Sequence, residues 1–301
     1  MNQPSEQPPP GSIATFAAGS QIEGSFACIR KDRLATKKGG AYLALTLRDR
    51  SGELDARVFR DADQLGTRFE RGDIVAVGGR VESFRGELVA ELEAIRALAP
   101  TEVDATRFLP VAYRSIPELL GFFEHLVGEV HDPGLRGLIE RVCGEPTVAR
   151  ELRRAPCSQS SHHAYLGGLL EHTVAVGILA TETVQLHPRL DSDLLMAAAL
   201  LHDIGKCREF SYGAEFTISD EGALLGHLAI GAQIIEAAAA GLDRARKNQL
   251  LHCVLTHHGA DSGPAKAAGG RGFASAEALA LYRINALDAG VKGYLERGPR
   301  G

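Results

Sequence analysis

No stretch of this 301-residue sequence stays apolar for the roughly 18 residues that a membrane-spanning helix needs. Met1 to Pro10 carry four prolines and lack the charged-then-apolar order of a secretory signal, so neither an anchor nor an export segment is expected. Cysteine is scarce: there are five, an odd number, and no two form a CxxC pair. That argues against a disulfide framework or a thiolate zinc site and for a reducing cytoplasm. Positive charge is not in excess either. With a formal net charge of −5 the chain is no bulk polycation, and any nucleic-acid footprint must be a local patch. No internal repeat is present. What remains is an ordinary globular composition, 45% hydrophobic and 24% charged, with length for two domains of about 150 residues each.

Residues 1–15, rich in Pro, Gln and Ser, are expected to form a disordered tail. Residues 16–100 have a β texture of short alternating runs: IEGSFACIR, AYLALTLRD, GELDARVF, DIVAVGGRVESF and GELVAELEAIRAL. A short helical piece, Asp61 to Glu70, lies between the third and fourth runs. Five strands with one helix in that place follow the order of a small all-β OB barrel. Such barrels bind single strands through groove cations and stacking rings. The candidates are Lys37 and Lys38 on a Gly-bounded loop, with Arg48, Arg57, Phe59, Phe84 and Arg85. The segment is nearly balanced in charge, and a barrel without a ligand would have the same strand order, so fold alone does not decide function.

Residues 101–115 read as a linker, and residues 116–301 as an all-α bundle. Helix starts are marked by Pro117, Asp191-Ser192 and Ser275, and stops by Gly205, Gly241 and Gly259. One helix is expected to run from His162 to His187, and a short hairpin arm to involve Glu215 to Ile218. The stretch around which the domain is organised is LLMAAALLHDIGK, Leu194 to Lys206, an apolar helix closing on His202-Asp203. A neutral imidazole beside a carboxylate offers one nitrogen ligand and one group that can bridge two cations. His172, His227, the pair His257-His258 and Asp288 fall on or at the ends of further apolar helices. One such residue is more often a satisfied core group than a ligand. A set spread over five consecutive helices reverses that balance, because bundle sites are built from inward side chains on facing helices. Lys206, one turn from Asp203, either reaches a phosphate oxygen or caps the helix C-terminus. His162 and His163 either support the ligands or protonate a leaving oxygen. The remaining histidines and the cysteines read as surface or packing residues.

The series H…HD…H…HH…D resembles the HD-domain metal-dependent phosphohydrolases. With the strings HHAYLGGLLEHT, LLHDIGK, LLGHLAIG and LTHHG behind an OB barrel, it resembles the YhaM-type 3′→5′ exoribonucleases from about Gln21 onward. The resemblance implies two divalent cations, manganese first, with cobalt, iron or magnesium as other occupants. Carried over, His172, His202, Asp203 and Asp288 hold one ion. Asp203 bridges to a second held by His227, His257 and His258, although His258 could instead orient substrate. Asp203, Lys206 and His163 become the catalytic set. The implied activity is release of nucleotides from the 3′ end of single-stranded RNA or DNA by a cytoplasmic homo-oligomer. Two stretches depart from the family pattern: Ala260 to Ala274 is Gly/Ala-rich, and APCSQSS before His162 lacks basic residues. The alternatives are an HD phosphohydrolase of free nucleotides or cyclic dinucleotides and a nucleic-acid scaffold with a vestigial metal site. Against the cyclic-dinucleotide class, GADSGP follows His257 and His258 where a GYP tripeptide is expected.

Overall fold

The computed structural model describes residues 11–36, 39–99, 101–259 and 272–297. Chain contacts divide it into two units, Met1–Pro110 with Tyr212–Phe216, and Val111–Ser211 with Thr217–Gly301.

The first unit is a closed five-stranded barrel. Its elements are β1 (Gln21–Ala35), β2 (Ala41–Asp49), β3 (Gly52–Val58), the short helix α1 (Ala62–Gly66), β4 (Ile74–Phe84) and β5 (Glu87–Ala97). The length of β1 lets it pair antiparallel with β2 at one end and with β4 at the other. A parallel pairing of β3 with β5 completes the order β1-β2-β3-β5-β4. Side chains alternate across each strand. Leu54, Ala56 and Val58 of β3 point into a core shared with Ile22, Phe26, Leu45, Leu47, Val75, Val81 and Leu92. Asp55 and Arg57 therefore face outward.

Two sequence expectations are corrected here. Residues 11–15, expected to belong to the disordered tail, fold instead: Ile13 is buried in the barrel core, and its amide donates to Asp49 Oδ2 at 2.8 Å. The linker also folds, as a 3-10 turn (Ala105–Phe108) that buries Phe108 beside Ala27 and Ile74. In both segments a single apolar side chain gains enough by burial, about 1.5–3 kcal/mol, to hold a short stretch down.

The second unit is helical: α2 (Ile116–Gly128), α3 (Pro133–Gly144), α4 (Pro146–Leu152), α5 (Gly168–Leu186), α6 (Ser192–Leu201) and the short α7 (Lys206–Glu209). After the strand pair β6 (Phe210–Tyr212) and β7 (Phe216–Ile218) come α8 (Asp220–Ala238), α9 (Arg244–Thr256) and α10 (Ala276–Arg297). Side-chain caps set the starts. Ser115, Asp132, Asp191, Ser219 and Asp243 each accept from a first-turn amide, and Pro occupies the first turn of α2, α3 and α4. Every residue from Leu194 to Leu201 is buried, so α6 is the central helix and needs no polar face. The helix expected from His162 begins only at Gly168. Residues 162–167 form a loop in which His163 adopts a left-handed backbone, φ 49°. Among the described residues no helix is long and apolar enough to cross a membrane.

Candidate metal centre and strand-binding face

Helix ends deliver most of the centre. His202 caps the C-terminus of α6 and His257 that of α9, where the last carbonyls have no helical partner. Each imidazole uses one of them: His202 Nδ1 donates to Ala199 O at 2.8 Å, and His257 Nδ1 to Val254 O at 2.6 Å. His227 follows a break inside α8 at Gly226 (φ 68°, ψ 159°), a conformation suited to glycine. Its amide and its Nδ1 both donate to Glu209 Oε1 at 3.0 Å. Gly205 lets the turn after Asp203 lie against this segment, since a Cβ there would come within 2.0 Å of His227 O. His172 is fully buried within α5, and its Nδ1 donates to Asp288 Oδ2 at 2.6 Å. In all four rings Nδ1 carries the proton, which leaves the Nε2 lone pair facing inward.

Those lone pairs converge on Asp203. Its Oδ1 lies 3.3 Å from His257 Nε2 and 3.6 Å from His227 Nε2. Its Oδ2 lies 3.3 Å from His202 Nε2 and 3.6 Å from His172 Nε2. The two Nε2 atoms of His172 and His202 are 3.1 Å apart, and Asn285 Oδ1 is 3.0 Å from the former. Acceptors packed this closely with no proton between them repel one another unless a cation sits among them. Asp203 Oδ1 and His257 Nε2 are buried and have no hydrogen-bond partner. Nitrogen and oxygen donors with two orphaned atoms fit a divalent ion, and the mix favours manganese, iron, cobalt or magnesium over a closed thiolate zinc site.

Charge at the centre is set by Asp203 and Lys206. Burial pushes Asp203 upward, but the Lys206 ammonium beside it holds its carboxyl well below the usual range. Burial likewise lowers Lys206, yet Asp203 at 2.7 Å holds it protonated. Burial pulls the imidazoles the other way, His257 to about 4 and His172 well below its ordinary value. His172 and His257 are thus neutral at pH 7, the form that binds metal.

The HD-domain family model matches residues 169–290, and that of the OB-fold nucleic acid binding domain residues 28–98. The 3′-5′ exoribonuclease YhaM of Oceanobacillus iheyensis is 30% identical over 250 residues, covering 82% of this chain and 78% of that protein. This chain belongs to the YhaM family of 3′-5′ exoribonucleases. The YhaM proteins of Bacillus velezensis and Bacillus licheniformis are 30% and 31% identical, each over 82% of this chain and 79% of their own length.

Placed against the family pattern, the residues anticipated from sequence divide. His172, His202 and Asp203 form one group of ligand atoms, and Asp203, His227, His257 and His258 another, each within 4.8 Å. His258 is the exposed member, its Nε2 2.9 Å from that of His227. Asp288 groups instead with His163 and His172. Lys206 does not cap the end of α6; it opens α7 and is buried, its ammonium on Asp203 Oδ2 and 3.4 Å from Cys157 Sγ. His163 is buried as well, and burial together with His172 pulls it to about 3, so at pH 7 it holds no spare proton. Three neighbours went unread. Asn285 lies one turn before Asp288 on α10, Glu209 one turn after Lys206, and Cys157 lies 3.6 Å from Asp203 Oδ2. The one-turn spacings from Asp288 and Lys206 were available signals; Cys157 had none.

The barrel carries aromatic rings beside cations, with Tyr42 on β2, Phe59 just after β3 and Phe84 at the end of β4. Tyr42 stacks on Phe59 with centroids 5.3 Å apart. The Arg57 guanidinium sits 4.2 Å over the Phe84 ring, with Arg85 at 5.4 Å. Phe59 and Phe84 are 41% and 45% exposed, which leaves part of each ring open to solvent. Arg48 is tied down: it donates to Ala214 O, and its Nε is buried without a partner. Lys37 and Lys38 lie outside the described residues. Tyr42 is an addition, readable from the register that pairs Leu43 with Val58 and so sets Tyr42 against Phe59.

Proposed function

We propose that this chain is a metal-dependent 3′→5′ exonuclease that hydrolyses phosphodiester bonds of single-stranded RNA or DNA at a dinuclear site. The observation that carries the reading is the division of Asp203, with Oδ1 toward His227 and His257 and Oδ2 toward His172 and His202. His172, His202 and Asp203 would hold one ion, and Asp203, His227, His257 and His258 the other. When bound, such a pair activates water and neutralises charge on the reacting phosphate.

The chain's own groups do the rest. Glu209, Ala199 O and Val254 O fix the tautomers of His227, His202 and His257. Lys206 keeps Asp203 ionised and supplies fixed positive charge beside it. The pair Tyr42–Phe59 and the Phe84 ring offer stacking surfaces for unpaired bases, worth about 1–3 kcal/mol per base, while Arg57 and Arg85 meet phosphates. Membership of the YhaM family supports the direction of attack and the RNA substrate. We read the enzyme further as a homo-oligomer with manganese as the preferred ion, on the resemblance of its motifs and the nitrogen and oxygen donors of the centre.

The test is a time course on 5′-labelled single-stranded RNA with manganese, run beside a 3′-blocked copy. A ladder shortening from the 3′ end, stopped by the block and by Asp203→Ala, is the expected result. Cleavage of the blocked strand at the same rate would refute exonucleolytic attack from that end.

A further inference from the structure

Resting on the dinuclear reading, we propose that Asn285, not Asp288, completes the ion site of His172, His202 and Asp203, so that this ion is held by one carboxylate instead of two. Both residues reach His172 from α10, one helical turn apart, but they meet opposite nitrogens. Asp288 Oδ2 takes the Nδ1 proton at 2.6 Å. Asn285 Oδ1 stands 3.0 Å from Nε2, the nitrogen that also faces His202 Nε2 at 3.1 Å. The amide's orientation follows from its other end, where Asn285 Nδ2 donates to His257 O at 3.4 Å. Its oxygen is thereby aimed at the ligand nitrogens, and the residue is buried, 6% exposed.

A ring whose Nδ1 is bonded to a carboxylate cannot offer that nitrogen to a metal, and the carboxylate is then spent on the proton. Asp288 is therefore a positioning residue for His172, as Glu209 is for His227. The amide oxygen of Asn285 is a neutral hard donor suited to manganese or magnesium. With one negative charge fewer than an Asp288 ligand would supply, this ion is held more weakly than it would be by two carboxylates, and exchanges more readily.

The test is manganese binding to the full-length chain, read by titration calorimetry and by elemental analysis of bound ion. Asn285→Asp is expected to tighten the ion held by His172, His202 and Asp203 about tenfold by adding ligand charge. Asn285→Ala is expected to lose one equivalent. Asp288→Asn, whose amide oxygen still accepts from Nδ1, keeps both ions with at most about a tenfold loss, the low end for a group supporting a ligand. Retention of both ions at unchanged affinity by Asn285→Ala would overturn the assignment. Should that variant not fold, unchanged or weaker binding by the nearly isosteric Asn285→Asp does the same. A wild-type chain that takes up a single ion, indifferent to His172→Ala, would instead sink the dinuclear reading and this assignment with it.

Discussion

Replacing Lys206 by Met should separate the structural work of its charge from that of the metal. The two side chains of the Lys206–Asp203 pair are only 7% and 2% exposed, with 2.7 Å between Nζ and Oδ2. Methionine keeps the apolar stem and removes the ammonium, leaving a buried carboxylate among acceptor nitrogens. Removing one partner of such a pair costs about 3–5 kcal/mol. At about 2–4 °C per kcal/mol for a domain of this size, the helical unit should melt about 6–20 °C lower without divalent ions. A cation bound at Asp203 replaces the missing charge, and manganese at 100 times its dissociation constant returns about 2.7 kcal/mol. The deficit should also shrink in acid. The carboxyl of Asp203 is held below its unfolded value, so the stability it contributes is present above the unfolded pKa and is lost as pH falls through the folded one. Once both chains hold a protonated Asp203, they differ little. Scanning calorimetry at neutral and acid pH, with and without manganese, gives the comparison. A Lys206→Met chain as stable as wild type without metal at pH 7 would refute the assignment of Lys206 as the charge that holds Asp203.

Three further outcomes are expected. Gly205→Ala, whose Cβ would meet His227 O at 2.0 Å and Gly231 N at 2.6 Å, should separate α7 from α8 and cost at least about 3 kcal/mol in urea unfolding; a loss under 1 kcal/mol would show the contact to be compliant. Phe84→Ala should weaken binding of single-stranded RNA, read by fluorescence anisotropy, by about 1–3 kcal/mol, with unchanged affinity removing the ring from the interface. Asp191 both caps α6 and pairs with Arg246, whose hydrogen bond holds its carboxyl low. Its stabilisation is therefore present above about pH 4 and fades as pH falls through the depressed value. Asp191→Asn should cost about 1 kcal/mol at pH 7, discounted for partial exposure, and nearly nothing at pH 2; an equal deficit at both would contradict the ionic part.

The barrel was legible because each strand obeys a period of two. In GELDARV the inward Leu54, Ala56 and Val58 can be read directly, as can the outward Arg57. The bundle was legible through helix starts at Pro117, Asp191-Ser192 and Ser275, which open α2, α6 and α10. What periodicity could not show is where an isolated apolar residue in a polar stretch would fold back, as Ile13 and Phe108 do. Nor could it show that His162 to Gly167 leaves the helix: the histidines continue an apolar pattern, but Gly167 at φ 81° and His163 at φ 49° break the backbone. On the barrel face, charge alone suggested Arg48, whereas the carbonyl that occupies it, Ala214, is remote in sequence.

Within the centre, the residue types were readable and their roles only partly so, because an imidazole has two nitrogens. Which one faces the metal depends on where the other finds an acceptor. At a helix C-terminus the last carbonyls are free, so His202 and His257 turn Nδ1 onto the backbone three residues back and need no carboxylate. His172 lies inside α5 and His227 inside α8, where backbone carbonyls are already used by the helix. Each must borrow a side-chain acceptor, and each has one: Asp288 for His172 and Glu209 for His227. The rule accounts for both acidic residues by the same need. It also explains why a carboxylate at a plausible ligand spacing is engaged elsewhere, and why the oxygen facing His172 Nε2 comes from the amide one turn earlier.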